Sequence, residues 1–229
     1  MTGYDIQVAQ VVMPEKGLFL VRCACPPPPC GRRVVVSLDY GQDVGTVMEG
    51  GPYDPARHGA RLPGFLLVRE KTEADDAVLA ENETLALAMR TVFVKVARAT
   101  VPDLRVPYVR LSFARTRLFI RFVSGTAHPD FAKAVADLRH RFGVSVNVWQ
   151  MGPRDEVSIM GGLGPCGRPC CCATWQARYP AHLTAERFKG QNPAFLNGAC
   201  GRFKCCLAFE DEDAERPSVN RCHNGWNLA

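Results

Sequence analysis

The sequence has no long apolar run, little net charge and no secretory leader, and each shortage excludes a class of protein. No stretch of 18 apolar residues occurs in the 229-residue chain, so we expect no membrane span. The net charge is only +5 while 47% of the residues are hydrophobic, which excludes an intrinsically disordered chain. The first residues lack the basic and apolar segments of a secretory signal, so the sequence predicts a cytoplasmic protein.

Signatures of catalysis are also absent from the sequence. The five histidines are scattered and form no metal-ligand or nucleophile–base spacing, and no glycine-rich phosphate loop occurs. Asp155 and Glu156 stand beside Arg154 just before a glycine-rich turn, where a salt bridge or a turn hydrogen bond is expected rather than acid–base chemistry. The sequence therefore predicts a protein that is not an enzyme.

Cysteine, in contrast, is abundant, with 11 residues that are mostly clustered. In a reducing compartment, clustered cysteines more often bind metal or do redox chemistry than form structural disulfides.

The hydrophobic pattern predicts an α+β fold that begins with a β-rich lobe over residues 1–70. Short apolar or alternating runs near residues 6–11, 18–21, 34–38, 43–48 and 62–70 are separated by glycine and proline, as in a small sheet or barrel.

Residues 71–150 are predicted to form a ferredoxin-like, split βαβ domain. A strand at residues 65–68 precedes a helix over 81–99, in which Leu85, Met89, Val92 and Val96 share one face. Strands over 108–114 and 117–123 follow, then a helix over 129–142 that ends at Gly143, and a strand over 144–150.

The hairpin of this domain carries a candidate RNA or anion contact. A turn at residues 115–116 would place Arg110 opposite Arg121, which requires a nearby anion, with Tyr108 and Phe119 on the same face. Aromatic and arginine side chains on a sheet are how some domains hold RNA. Burial of this face against the N-terminal lobe, or neutralisation by nearby acids, is the competing interpretation.

Residues 151–210 are predicted to form a cysteine-rich, metal-binding insert, and residues 211–229 a loop tail. Residues 164–172 and 198–206 both read Gly-x-Cys-Gly-Arg-x-x-Cys-Cys, offset by 34 positions. Six matching positions with rare residue types indicate an internal duplication.

The chemistry of the duplicated unit favours a soft metal, because thiolates bind zinc and iron–sulfur clusters. Arg168 and Arg202 would favour thiolates and offset the charge of a cluster. Neighbouring cysteines diverge in direction and serve a single tetrahedral zinc poorly, which favours a four-iron cluster while leaving zinc and metal-free thiols open. Cys170 precedes the pair Cys171 and Cys172, so the first unit has three adjacent cysteines where the second has two.

A second group, Cys23, Cys25 and Cys30, flanks four prolines. A polyproline II run rises about 3.1 Å per residue and would hold Cys25 and Cys30 roughly 15 Å apart. A rigid loop with spare thiols is therefore favoured over a second metal site completed by Cys222 or His223.

The stretches over 150–156, 160–168 and 171–172 resemble the PSP C-terminal domain family, in its bacterial YaaT/RicT-like branch. Residues 191–206 and the N-terminal segments 39–42 and 45–47 are similar to the same family. The resemblance covers roughly residues 4–210 and is most specific over 150–206.

The resemblance implies a non-catalytic regulatory subunit that contains iron–sulfur clusters, here [4Fe-4S]. It implies assembly with small helical partners of the RicA/RicF type, and an indirect action on RNase Y that promotes mRNA processing and turnover. The cysteines that match the family motif are Cys166, Cys171, Cys172, Cys200, Cys205 and Cys206. A zinc-bearing RNA-binding module and a thiol redox protein are the alternative functions.

Overall fold

A computed structural model describes residues 6–15, 17–58, 62–126, 129–176, 188, 190 and 192–207. This part of the chain contains two sheets and six helices, so the predicted α+β class is confirmed. No helix within it is long and apolar enough to cross a membrane.

The chain divides into two compact bodies, which are described separately. The first comprises Met1–Pro102, Val109–Ile120 and His128–Val148, and the second comprises Asp103–Tyr108, Arg121–Ala127 and Trp149–Ala229.

The first compact body contains a closed five-stranded barrel, built where the sequence predicts short strands. Its strands follow the order β1-β2-β5-β3-β4, and all neighbours are antiparallel except β2 and β5. The bounds are β1 Gln7–Met13, β2 Gly17–Cys23, β3 Arg33–Leu38, β4 Gly41–Pro52 and β5 Leu66–Glu70.

The interior of the barrel is filled by side chains from every strand. Val11, Met13, Val34 and Val47 are fully buried there. These branched and flexible apolar side chains fill a small barrel without leaving a lumen. Phe119, from outside the barrel strands, completes the same core. A short helix α1, Pro55–His58, follows β4.

Helix α2 runs from Glu73 to Ala97 and begins eight residues before the predicted start. The Asp75 carboxylate accepts a hydrogen bond from the Thr72 N–H at 2.7 Å and two from Arg69, at 2.6 and 2.9 Å. Acidic residues favour the positive end of a helix dipole, so the acidic stretch belongs to the first turn rather than to a loop. The buried face is also shifted by about one residue, to Asn82, Ala86, Met89, Phe93 and Ala97.

The second sheet has the strand order β6-β7-β8, with β6 Arg105–Leu111, β7 Arg117–Val123 and β8 Ser145–Gln150. Between β7 and β8 lies helix α3, Ala132–Phe142, which ends at Gly143 as predicted, with φ of 66°. Elements therefore follow one another along the chain in the predicted order.

The ferredoxin-like sheet itself is not confirmed. That fold requires the strand before α2 to join the other three, but β5 pairs with both β2 and β3 in the barrel. Both of its hydrogen-bonding edges serve barrel closure, so three strands remain in the second sheet.

The predicted pairing of Arg110 with Arg121 is wrong. Ser112 N–H donates to the Arg117 carbonyl at 2.8 Å, so the turn comprises four residues rather than two. The register shifts accordingly, and the Arg121 guanidinium lies over the Tyr108 ring, 5.2 Å from its centre. A cation facing an aromatic ring replaces the unfavourable pair of like charges.

Candidate metal centre at the duplicated cysteine units

The two cysteine units fold in the same way. Gly164 N–H donates to the Arg168 carbonyl at 2.8 Å, and Gly198 N–H donates to the Arg202 carbonyl at 2.7 Å. The bridges Leu163–Pro169 and Asn197–Phe203 are related by the same 34-residue offset. The duplication in sequence is thus a duplication in backbone structure.

A glycine with positive φ sits in the middle of each turn. Gly167 has φ of 74° and Gly201 has φ of 73°, and their N–H groups donate to Gly164 and Gly198 at 2.9 and 3.0 Å. Residues with a side chain rarely adopt this conformation, so the Cys-Gly dipeptide in each unit has a conformational cause.

Short helices lead into and out of the units. Helix α4, Pro153–Met160, precedes the first unit, helix α5 spans Cys171–Thr174, and helix α6, Pro193–Leu196, precedes the second. The sequence analysis did not predict α4, although Gly152 followed by proline and by Asp155 three positions on is a helix-start signal. Asp155 indeed accepts from the Gly152 N–H at 3.2 Å. The sequence from Trp175 to Gln191 also reads as a short helix, but this segment lies mostly outside the described residues.

Thiols of the two units act on each other electrostatically. Burial raises the pKa of the Cys171 thiol, and the neighbouring thiols of Cys205, Cys206 and Cys166 raise it further. Cys166 belongs to the first unit and the other two to the second. Thiols of both units therefore lie within electrostatic range of Cys171, and sharing of one metal centre stays a prediction.

The second cysteine of the adjacent pair has a similar environment. Burial raises the pKa of the Cys172 thiol, the Arg154 guanidinium counteracts this rise, and Cys170, Cys205 and Cys200 add to it. Thus five of the six cysteines that match the family motif influence at least one partner from the opposite unit.

Arg154 is a charged residue of this region to which the sequence analysis assigned no role. It is only 8% exposed, and its Nη2 donates to the Gln176 carbonyl at 2.8 Å. Its cation favours ionisation of the Cys172 thiol. The helix-start signal at Gly152 would have placed Arg154 in the first turn of α4, just ahead of the first cysteine unit in the sequence.

The predicted supporting arginines, Arg168 and Arg202, enter the units through their backbones. Their carbonyls close the two turns, and both residues are exposed. Electrostatic support of the thiols by their side chains stays a prediction.

The donor set fits a soft metal in its chemistry. Thiolates suit iron–sulfur clusters and zinc, and the six motif cysteines are half-buried except Cys166, which is exposed. Within the described ranges, however, no three His, Cys, Asp or Glu side chains stand close enough together to ligate one ion. The thiols are neighbours without being arranged as a closed coordination sphere.

The other predicted site residues belong to the hairpin of β6 and β7. Arg110 donates to the buried Asp43 at 2.9 Å, and Phe119 is buried in the barrel core. Burial against the N-terminal lobe and neutralisation by an acid, the competing interpretation, therefore describe these two residues. Tyr108 and Arg121 are half-buried, and RNA contact by them stays a prediction.

The proline-flanking thiols differ in exposure. Cys23 points into the barrel core, while Cys25 and Cys30 are exposed. A side-chain carbon on Gly50 of β4 would lie 2.4 Å from Pro27 Cγ, so the proline run packs directly on the barrel. This contact favours the rigid-loop interpretation.

Known proteins match both the second cysteine unit and most of the chain. The family model for the third domain of PSP1-like proteins matches residues 190–216, which contain the second cysteine unit. The chain is 29% identical over 184 residues, or 79% of its length, to the stage 0 sporulation protein YaaT of Bacillus subtilis (strain 168). The alignment spans 65% of that relative's length, and no solved structure matches. Together these findings confirm the resemblance drawn from the cysteine motifs: the chain is similar to PSP1-like proteins of the YaaT type.

Proposed function

We propose that this protein is a non-catalytic regulatory and scaffold subunit in which the two cysteine units share an iron–sulfur cluster. The observation that carries the proposal is the duplicated turn, in which Gly164 and Gly198 donate to the Arg168 and Arg202 carbonyls and the same cysteine pattern occurs twice. The effect of Cys205 and Cys206 on the pKa of the Cys171 thiol is consistent with a centre shared by both turns.

The minimal ligand set is Cys166 and Cys200 together with one member of each adjacent pair, Cys171 or Cys172 and Cys205 or Cys206. A cluster supplies strong bonds between segments that lie 34 residues apart in sequence. Because metal binding is coupled to the folding of the segments that hold it, the loaded protein presents a defined surface to other subunits.

The proposed function in the cell is supported by the similarity to a relative and by the family resemblance. The similarity to a stage 0 sporulation protein supports a regulatory task, and the family resemblance supports assembly with small helical partners of the RicA/RicF type. We propose that this cytoplasmic complex modulates mRNA processing and turnover that depend on RNase Y.

A thiol redox enzyme is the less favoured alternative. Reactive cysteines in such enzymes have a lowered pKa, whereas burial and neighbouring thiols raise the pKa of Cys171 and Cys172. Both thiols are therefore poor nucleophiles in the metal-free protein.

The decisive experiment is anaerobic purification followed by analysis of iron, acid-labile sulfide and zinc. We expect iron and sulfide in the wild type, and their loss in Cys166→Ser and Cys200→Ser. Cys25→Ser and Cys30→Ser are matched controls, because both thiols are exposed and lie outside the units. Stoichiometric zinc without sulfide would support the zinc-bearing alternative, and a folded protein without metal would refute the proposal.

A further inference from the structure

A row of three side chains crosses the second sheet within the second compact body. Arg121 lies over the Tyr108 ring, 5.2 Å from its centre. Trp149, on the neighbouring strand β8, is 67% exposed, which is unusual for the largest apolar side chain.

The hydrogen bonds of β8 place Trp149 beside Arg121. Ser145 N–H donates to the Thr116 carbonyl and Met151 N–H to the Phe122 carbonyl, so β7 and β8 run in parallel. In a parallel ladder the donor stands beside the residue that follows its acceptor, which puts Met151 next to Val123. Two residues back on each strand, Trp149 stands next to Arg121, and their side chains point to the same face.

We propose that the Tyr108–Arg121–Trp149 row binds single-stranded RNA, with a base stacked on Trp149 and a phosphate bound by Arg121. An exposed indole provides a flat surface on which any base stacks, and the adjoining guanidinium provides the positive charge that the backbone requires. The net charge of +5 makes the whole chain attractive to a polyanion.

This site rests on the proposed role in mRNA turnover but not on the metal. Arg110 and Phe119 do not belong to it, because one is paired with Asp43 and the other is buried in the barrel. The row therefore differs from the hairpin face expected from the sequence, since it loses two residues and gains Trp149.

The test measures binding of the full chain to a fluorescein-labelled 12-nucleotide oligouridylate by fluorescence anisotropy over a salt series. Stacking of one base on an aromatic side chain is worth about 1–3 kcal/mol, so Trp149→Ala should weaken binding roughly five- to 150-fold. Trp149→Phe keeps a stacking surface and should recover most of the affinity. Arg121→Gln should weaken binding and lower the salt slope by about 0.7, the value for one phosphate on a single strand.

Two controls match these changes. Phe195→Ala removes another aromatic side chain of the second compact body, and this side chain is 73% exposed. Arg139→Gln removes one exposed positive charge. Both should bind within twofold of the wild type. Wild-type protein that fails to bind RNA at low salt would overturn the proposal. So would equal weakening of binding by Trp149→Ala, Arg121→Gln and the two controls.

Metal analysis of the same preparations separates this proposal from the one above. Trp149→Ala should retain the wild-type metal content while losing RNA. Wild-type protein that is purified anaerobically without metal and still binds RNA normally would contradict the cluster and leave the stacking site intact.

Discussion

Arg110 and Asp43 form a buried ion pair in which Nη1 of the arginine lies 2.9 Å from Oδ2 of the carboxylate. Asp43 is completely buried, and it also accepts hydrogen bonds from the Tyr40 hydroxyl and from the Val44 and Phe113 N–H groups. The barrel strand β4 is thus connected to the β6–β7 hairpin by one carboxylate.

Removal of this carboxylate should be strongly destabilising. Asp43→Ala leaves the Arg110 cation and several donors without their acceptor, which costs about 3–5 kcal/mol when a buried pair is broken. Urea denaturation followed by circular dichroism measures the change. Glu49→Gln is the control, because the Arg57–Glu49 pair is exposed on both sides and should contribute less than about 1 kcal/mol. Equal effects of the two substitutions would contradict the assigned role of Asp43.

Acid should weaken the start of helix α2 through Asp75. The hydrogen bonds from the Arg69 side chain hold the pKa of this carboxyl below its usual range, and the Thr72 N–H adds to that effect. A group whose pKa is lower in the folded state stabilises the protein above its unfolded pKa, and this contribution is lost as the pH falls through the folded value.

Comparison of Asp75→Asn with the wild type across pH 7 to 3 isolates this contribution. We expect the wild type to unfold at higher urea concentration at pH 7, and the difference to shrink steadily below about pH 4. A difference that is constant over the whole range would show that Asp75 stabilises the helix without its charge.

Alkylation should distinguish the three cysteines around the proline run. Burial, followed by the nearby Cys25, raises the pKa of the Cys23 thiol to about 11. Only the thiolate reacts with iodoacetamide, so at pH 7.5 Cys23 should react about two orders of magnitude more slowly in the folded protein than in the unfolded protein, and more slowly than the exposed Cys25 and Cys30. Tandem mass spectrometry of the tryptic peptide 23–32, which contains all three cysteines, locates the label and gives the rates. Labelling of the unfolded protein in urea, where all three should react alike, serves as the reference.

Alanine in the cysteine turns should loosen each turn separately. Gly167 and Gly201 have open space around them, so Gly167→Ala and Gly201→Ala cost only the conformational strain of a positive φ, about 1–2 kcal/mol. In the metal-free protein, hydrogen exchange of the Gly164 amide should speed up roughly five- to thirtyfold in Gly167→Ala, and that of Gly198 in Gly201→Ala.

Gly64→Ala is the matched control for these variants. Gly64 also has open space but no positive φ, so its replacement should leave exchange in both turns unchanged. Acceleration of both turns by either single substitution would mean that the turns open together.

Local patterns in the sequence were sufficient for the turns and for most elements, because their causes are local. The offset of Cys166 and Cys200 predicted two equal units, and the structure repeats their hydrogen bonds at the same spacing. Gly143 ends α3 where its freedom at positive φ is needed.

Long-range pairing, in contrast, could not be predicted from the sequence. The apolar run of β5 is equally suitable for either sheet, and only closure of the barrel decides between them. The burial of Phe119 depends on Tyr40, 79 positions earlier, whose ring lies 5.4 Å away. The proximity of Arg154 to Cys172 likewise arises from the packing of α4 and α5, which periodicity does not reveal.

The repeated turn geometry separates shape from side-chain chemistry. Cys170 and Lys204 occupy equivalent places, and both N–H groups bond to the carbonyl eight positions earlier, Gly162 and Leu196 respectively. One copy thus has a cysteine where the other has a lysine, on the same hydrogen-bonded turn. The turn therefore keeps its shape with either side chain, so the two copies can differ in polarity at this position while their backbones stay alike.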